Sequence, residues 1–107
     1  MRILAVTVST PLATPDAVRS LLPAETEHVK QLFEQGVIVE GYIDPQVSQV
    51  YLMLDLPSIP EAEAIVATFP MVQAGLITFT YASLIGLPAI AQSLQARNLP
   101  LPAWWPS

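Results

Sequence analysis

Leu76-Ile77-Thr78-Phe79-Thr80-Tyr81-Ala82-Ser83-Leu84 decides the fold, because it sits in a long uncharged part of the chain that admits two opposed readings. No Asp, Glu, Lys or Arg occurs from Ala64 to Ala96, and Met71 to Ala91 is long enough to cross a membrane as a helix. The internal pattern points elsewhere. Ile77, Phe79 and Tyr81 alternate with Thr78, Thr80 and Ala82, which is the period of a strand with two chemically different faces. A helix surrounded by lipid has no use for that alternation. Pro70 and Pro88 punctuate the run, Gly75 and Gly86 interrupt it, and no Lys or Arg cluster flanks it to set an orientation. The segment therefore reads as turn, strand, turn and short helix.

Working outward, the same two-residue period recurs three times. Arg2 to Ser9 sets Leu4, Val6 and Val8 against Ile3, Ala5, Thr7 and Ser9. Val37 to Asp44 sets Val37, Val39 and Ile43 against Ile38, Glu40 and Tyr42, and Val50 to Leu56 sets Val50, Leu52, Leu54 and Leu56 against Tyr51, Met53 and Asp55. Asp44-Pro45-Gln46 between the last two is a tight hairpin connection. Helical signals fill the other gaps. Thr14-Pro15-Asp16 caps a first start; Pro23 marks a second, leading through Ala24 to Gln35 and stopping at Gly36, with Val29, Leu32 and Phe33 as its apolar stripe. Ser58 to Thr68 carries a cap at Ser58, Pro60 in the first turn, acids Glu61 and Glu63 near the positive end of the dipole, and an apolar stripe of Ala62, Ile65, Val66 and Phe69.

The resulting order is β-α-β-β-α-β, an α+β ferredoxin-like arrangement in which two helices cover one face of a four-stranded antiparallel sheet. Residues 1–87 form the expected protomer, and 88–107 a C-terminal helix followed by the Pro/Trp-rich arm Leu99-Pro100-Leu101-Pro102-Ala103-Trp104-Trp105-Pro106, which packs on a neighbouring subunit or serves as a polyproline ligand. Composition agrees with a hidden face. The 107 residues are 52% hydrophobic but only 12% charged, against roughly 25% charged in an average soluble domain. A chain this small and this short of charge hides surface against a copy of itself or a partner. If the helices bury the aliphatic side, the bare side carries Thr7, Ser9, Glu40, Tyr42, Tyr51, Met53, Asp55, Thr78 and Thr80. Two such faces stacked would close a barrel-like interior able to hold a small ligand.

Several classes are disfavoured. Four Lys and Arg against nine Asp and Glu, a net charge of −5, leave no basic stripe for nucleic acid. Without Cys there is no thiolate nucleophile or disulfide framework, and a single His excludes any multi-histidine metal site. No phosphate-cradling glycine loop or nucleophile elbow occurs, so no cofactor and no metal are expected. Met1-Arg2-Ile3-Leu4-Ala5-Val6 lacks the layout of a signal peptide, and a cytoplasmic location without membrane contact is the expectation.

The helix Leu22-Pro23-Ala24-Glu25 through Leu32-Phe33-Glu34-Gln35-Gly36 resembles muconolactone isomerase and its relatives, as do Leu54-Asp55-Leu56 with Ser58 and Glu61, and Phe69-Pro70 leading to Leu84 and Pro88. Those proteins belong, with the YciI-like group, to the dimeric α/β barrels. The resemblance covers most of the chain to about Pro88. It implies a ferredoxin-like protomer, a homodimer through the open sheet faces that sometimes assembles further, and cofactor-free chemistry on small acids or lactones. This chain has Val37-Ile38-Val39-Glu40-Gly41 where the isomerase carries tryptophan and basic residues, and Glu25 where the YciI-like group carries a histidine.

Among candidate site residues, Glu40 and Asp55 stand out as carboxylates on strand faces otherwise occupied by Tyr, Thr and Met. Sharing a desolvated interior, one would abstract a proton alpha to a carbonyl while the other returns it; at a strand end they would simply face water. Tyr42 and Tyr51 would donate to a developing enolate, or fill the dimer interface. Glu25 lies on the helical face of Val29 and Leu32, either as a partly buried general acid or base or as a first-turn acid favoured by the helix dipole. His28, at the edge of that stripe, is a proton shuttle, a lone haem ligand or simply a partly exposed helical histidine. Thr7, Ser9, Met53, Thr78 and Thr80 are lining, since no His or Lys in the same strands could activate a hydroxyl. The expectation is a homodimeric protein binding a small, weakly polar molecule, either a cofactor-free isomerase acting on a lactone or enol, or a non-catalytic binding or structural oligomerisation protein.

Overall fold

The computed structural model describes residues 1–86 continuously and, beyond them, Leu94, Ala96, Leu99, Pro100, Ala103 and Trp104. The expected C-terminal helix and the greater part of the arm lie outside the described residues. The elements are β1 (Arg2–Ser9), α1 (Pro15–Glu34), β2 (Ile38–Asp44), β3 (Gln49–Asp55), α2 (Ile59–Val66), α3 (Pro70–Gln73) and β4 (Ile77–Leu84). The strands form one antiparallel sheet in the order β2-β3-β1-β4, with the helices on one face, an α+β ferredoxin-like fold. Ile77 to Leu84 forms the edge strand β4 rather than a membrane helix, and no helix among the described residues is long and apolar enough to cross a membrane.

Local chemistry sets the element ends. The Thr14 hydroxyl accepts the Ala17 N–H at the start of α1, and Ser58 accepts from Glu61 at the start of α2, each satisfying an amide the helix cannot. Gly36 adopts φ +76° just past the C-cap of α1, and Gly75 does the same after α3, a conformation a side chain would strain. At the hairpin, Asp44 accepts the Gln46 N–H and Ser48 takes a left-handed turn at φ 52°.

Two expectations about helices need correction. Pro23 does not begin a second helix; α1 runs through it unbroken for 20 residues. Val18, Leu22, Glu25, Val29 and Leu32 keep one face in phase across the proline, and Pro23 itself is exposed. Packing of that face outweighs the single hydrogen bond that proline cannot donate to the Arg19 carbonyl. The stretch before β4 is not only a turn but holds the short α3, whose Met71 is buried.

The core lies between sheet and helices, where Ile3, Ala5, Ile38, Leu52 and Leu54 meet Leu32, Ala62 and Phe69. Burying each of the largest of these is worth about 1.5–3 kcal/mol. Gly41 belongs to the same side, because a Cβ there would stand 3.3 Å from Leu52 and 3.4 Å from the Phe33 ring. The β1 faces are the reverse of the expectation. Ile3, Ala5 and Thr7 are buried under the helices, and Ser9 follows them by alternation, whereas Leu4, Val6 and Val8 occupy the open face. Ile3 and Ala5 join the core cluster, and Thr7 Oγ1 accepts the Val50 N–H of the neighbouring strand. In register, the open face also carries Glu40, Tyr42, Tyr51, Met53, Asp55, Thr78 and Thr80, as expected.

Candidate functional site

Thr7 and Ser9 are short and leave space between the end of the sheet and α1. A cavity of about 500 Å³ results, opening near the β2–β3 hairpin and walled by α1, the sheet and the segment around α3. Its lining is dominated by hydrocarbon, including Val18, Leu22, Val29, Val50, Phe69 and Phe79. The polar exceptions are Thr7, Ser9, Ser48 and Glu25.

Glu25 is the chemically unusual member. Its face of α1 is the one that packs on the sheet, so the residue is only 9% exposed. Burial pushes its carboxyl above the ordinary value of 4.5, outweighing the Met71 N–H bond and the nearby His28 charge, both of which favour ionisation. The Met71 amide donates to Glu25 Oε1 at 3.1 Å, tying the start of α3 to the middle of α1. The other carboxyl oxygen has no such bond among the described residues and is free to meet a ligand.

His28 supports the wall of this cavity from behind. Its Nε2 lies 2.7 Å from Thr68 Oγ1, and the Thr68 hydroxyl donates to the Ile65 carbonyl, so the imidazole is the donor to threonine. The ring stands edge-on to Phe69 at 5.3 Å, and Phe69 stands edge-on to Phe79 at 5.8 Å, a stack that fixes one aromatic wall. At the sheet side, Thr7 Oγ1 accepts the Val50 N–H at 2.9 Å and keeps its own hydroxyl proton for another acceptor.

The structure thus brings Thr7, Ser9 and Glu25 together, on the helix side of the sheet rather than its open side. Glu40, Tyr42, Tyr51, Met53, Asp55, Thr78 and Thr80 lie on the opposite face, separated from Glu25 by the sheet. There Tyr42 is 65% exposed and its hydroxyl donates weakly to Glu40 at 3.3 Å. Tyr51 donates to Gln49 at 2.9 Å. Asp55 lies 3.7 Å from both the N-terminal ammonium and the Arg2 guanidinium. Glu40 pairs with Met53 in register, which makes Asp55 its diagonal neighbour. A shallow groove of about 340 Å³ runs beside them, bordered by Arg2, Val39, Glu40, Met53, Leu84 and the Ile85-Gly86 backbone. Among the described residues, no three His, Asp or Glu side chains gather as ligands for a metal ion.

Sequence reasoning missed the cavity walls at Val18, Leu22, Ser48 and Met71. The signal for the first two was present, since Val18 and Leu22 extend the Glu25-Val29-Leu32 stripe at helical spacing through Pro23. Met71 donates through its backbone, which no side-chain pattern encodes.

No protein-family model matches the chain, and no curated protein matches it in sequence. Among solved structures it resembles the 5-chloro-2-hydroxyhydroquinone dehydrochlorinase of Burkholderia phenoliruptrix AC1100, determined in complex with 2,5-dihydroxybenzoquinone. The TM-score is 0.65 at 17% identity, covering 79% of this chain and 94% of that one. Identity that low shows a shared fold.

Proposed function

We propose that this protein is a homodimeric small-molecule-binding protein whose ligand occupies the helix–sheet cavity, and that Glu25 exchanges a proton with that ligand in a cofactor-free isomerisation. The observation that carries the reading is a buried carboxyl, reluctant to ionise, set in an otherwise apolar cavity of ligand size. Ionised, Glu25 takes the proton from the carbon between a ligand carbonyl and its β,γ double bond; the C–H electron pair forms a new C=C bond and the carbonyl π pair moves onto oxygen, which the Thr7 hydroxyl meets. Returned from Glu25 to the γ carbon of the resulting dienolate, the same proton completes the shift of the double bond as the carbonyl re-forms. One carboxyl suffices for both halves. The dehydrochlorinase of the same fold is named for acting on a small oxygenated ring, which supports a ligand of that size. The open sheet face, with Leu4, Val6 and Val8 along β1 and Val6 between Tyr51 and Thr80, supports a dimer in which two such faces meet and enclose Glu40, Tyr42, Tyr51 and Asp55 as a second polar lining.

The test uses 3-cyclohexen-1-one, whose conversion to the conjugated isomer is followed by absorbance. Wild type is expected to accelerate it and Glu25→Gln to lose about 100-fold or more of that acceleration, the usual contribution of a positioned acid–base group. Equal rates for the two proteins would remove Glu25 from the chemistry. Binding of the probe without turnover would leave a non-catalytic binding protein.

A further inference from the structure

Building on the helix–sheet cavity as the ligand site, we infer that the site selects uncharged carbonyl compounds, largely hydrocarbon, and rejects both carboxylates and amines of the same size. Among the described residues the lining includes no Lys, Arg or His, so none of them can pair with an anionic ligand. The charged residue among them is Glu25, buried and already holding the Met71 N–H on Oε1. A carboxylate ligand would place a second anion in the same apolar space. Each charge would then be desolvated without a partner.

Amines fail for a different reason. An ammonium would find one carboxyl oxygen and otherwise only hydroxyls, because Thr7 Oγ1 already accepts the Val50 N–H and the described wall beyond Ser9 and Ser48 is dominated by hydrocarbon. Three donors on nitrogen demand more acceptors than this cavity presents. A carbonyl oxygen needs only one or two donors. The Thr7 hydroxyl, whose oxygen accepts the Val50 N–H and whose proton is not used by that bond, supplies one. Phe69 and Phe79, held perpendicular, shape the apolar part of the ligand. At the ~30 Å³ a water molecule occupies in liquid, the volume of about 500 Å³ corresponds to roughly fifteen non-hydrogen atoms, so a ring or medium-length chain fits.

Three probes of matched size separate the possibilities: 2-nonanone, octanoate and nonylamine, titrated at pH 7 into isotope-labelled protein and followed by amide shifts of Met71, Val50 and Val29. The ketone is expected to bind at least tenfold more tightly than either charged probe. Glu25→Gln, isosteric and still able to accept the Met71 N–H, is expected to raise octanoate affinity at least fivefold and so to narrow the gap between octanoate and the ketone. Octanoate binding as well as the ketone in wild type, with no gain in the variant, would overturn the selectivity while leaving the cavity a binding site. Nonylamine binding tightest would also overturn it, showing that Glu25 serves as a counter-ion. Absence of shifts at all three amides with every probe would overturn the cavity reading itself.

Discussion

Replacing Glu25 by Gln changes one charge and almost no volume, and its effect on stability carries a definite sign with pH. In the unfolded chain the carboxyl titrates at its ordinary value of 4.5, whereas in the folded protein burial holds it higher. Between these two values the folded state binds more protons than the unfolded state, so stability falls as pH rises. Below 4.5 both states are protonated and the penalty vanishes; above the folded titration it is constant. Within the window the slope is at most about 1.4 kcal/mol per pH unit for a single group. Gln carries no such penalty, but it weakens the 3.1 Å bond from Met71, because a neutral acceptor contributes about 0.5–1.5 kcal/mol where a charged one contributes about 1.5–3. The variant therefore gives up about 1 kcal/mol of hydrogen bonding and recovers the larger cost of burying the charge. Urea unfolding at half-unit steps from pH 4 to 8 reads the difference. Wild type is expected to match or exceed the variant near pH 4 and to fall steadily behind it as pH rises. A pH-independent difference, or a wild type that gains on the variant with pH, would refute the argument that desolvation governs Glu25.

Other substitutions probe the scaffold. Leu54 is fully buried in the centre of the sheet, and Leu54→Ala is expected to cost about 2–5 kcal/mol in chemical denaturation. A smaller loss would mean that the core collapses around the gap. Pro23→Ala restores an amide able to bond the Arg19 carbonyl inside α1 and is expected to stabilise by about 1–3 kcal/mol; a lower Tm would show that the proline is required where it stands. Val6 lies on the open face between Tyr51 and Thr80, so if the proposed dimer forms through that face, wild type sediments as a dimer and Val6→Lys as a monomer at the same concentration, with unchanged circular dichroism. Identical sedimentation of the two proteins would place any self-association elsewhere.

The fold was legible in the chain because two periodicities coexist without conflict. Alternation in Leu76 to Leu84 and in the three other strands excluded a membrane helix, and the caps at Thr14, Ser58 and Gly36 marked where helices begin and end. Strand identity survives any tertiary context that keeps one face buried. Which face is buried is a different matter. For β1 the larger aliphatic residues Leu4, Val6 and Val8 point to the open side, and the smaller Ala5 and Thr7 to the core. Hydrophobicity alone ranks these faces the wrong way round; on the helix side Ile3 and Ala5 enter the core cluster while Thr7 and Ser9 border the cavity. Pro23 misleads for a similar reason, since a local rule predicts a boundary that packing along Val18, Leu22, Val29 and Leu32 overrides.

Sequence by itself determined the β-α-β-β-α-β order, the pairing of strands into a two-faced sheet and the candidacy of Glu25, because each rests on local spacing along the chain. Tertiary structure decided that Thr7, Ser9 and Glu25 share one cavity on the helix side, while Glu40, Tyr42, Tyr51 and Asp55 stand on the other side of the sheet. That partition depends on volumes meeting across 46 residues, as in the Met71 to Glu25 bond, and on a backbone amide that has no signature in side-chain pattern. A carboxyl becomes reluctant to ionise only when the surrounding chain removes its water.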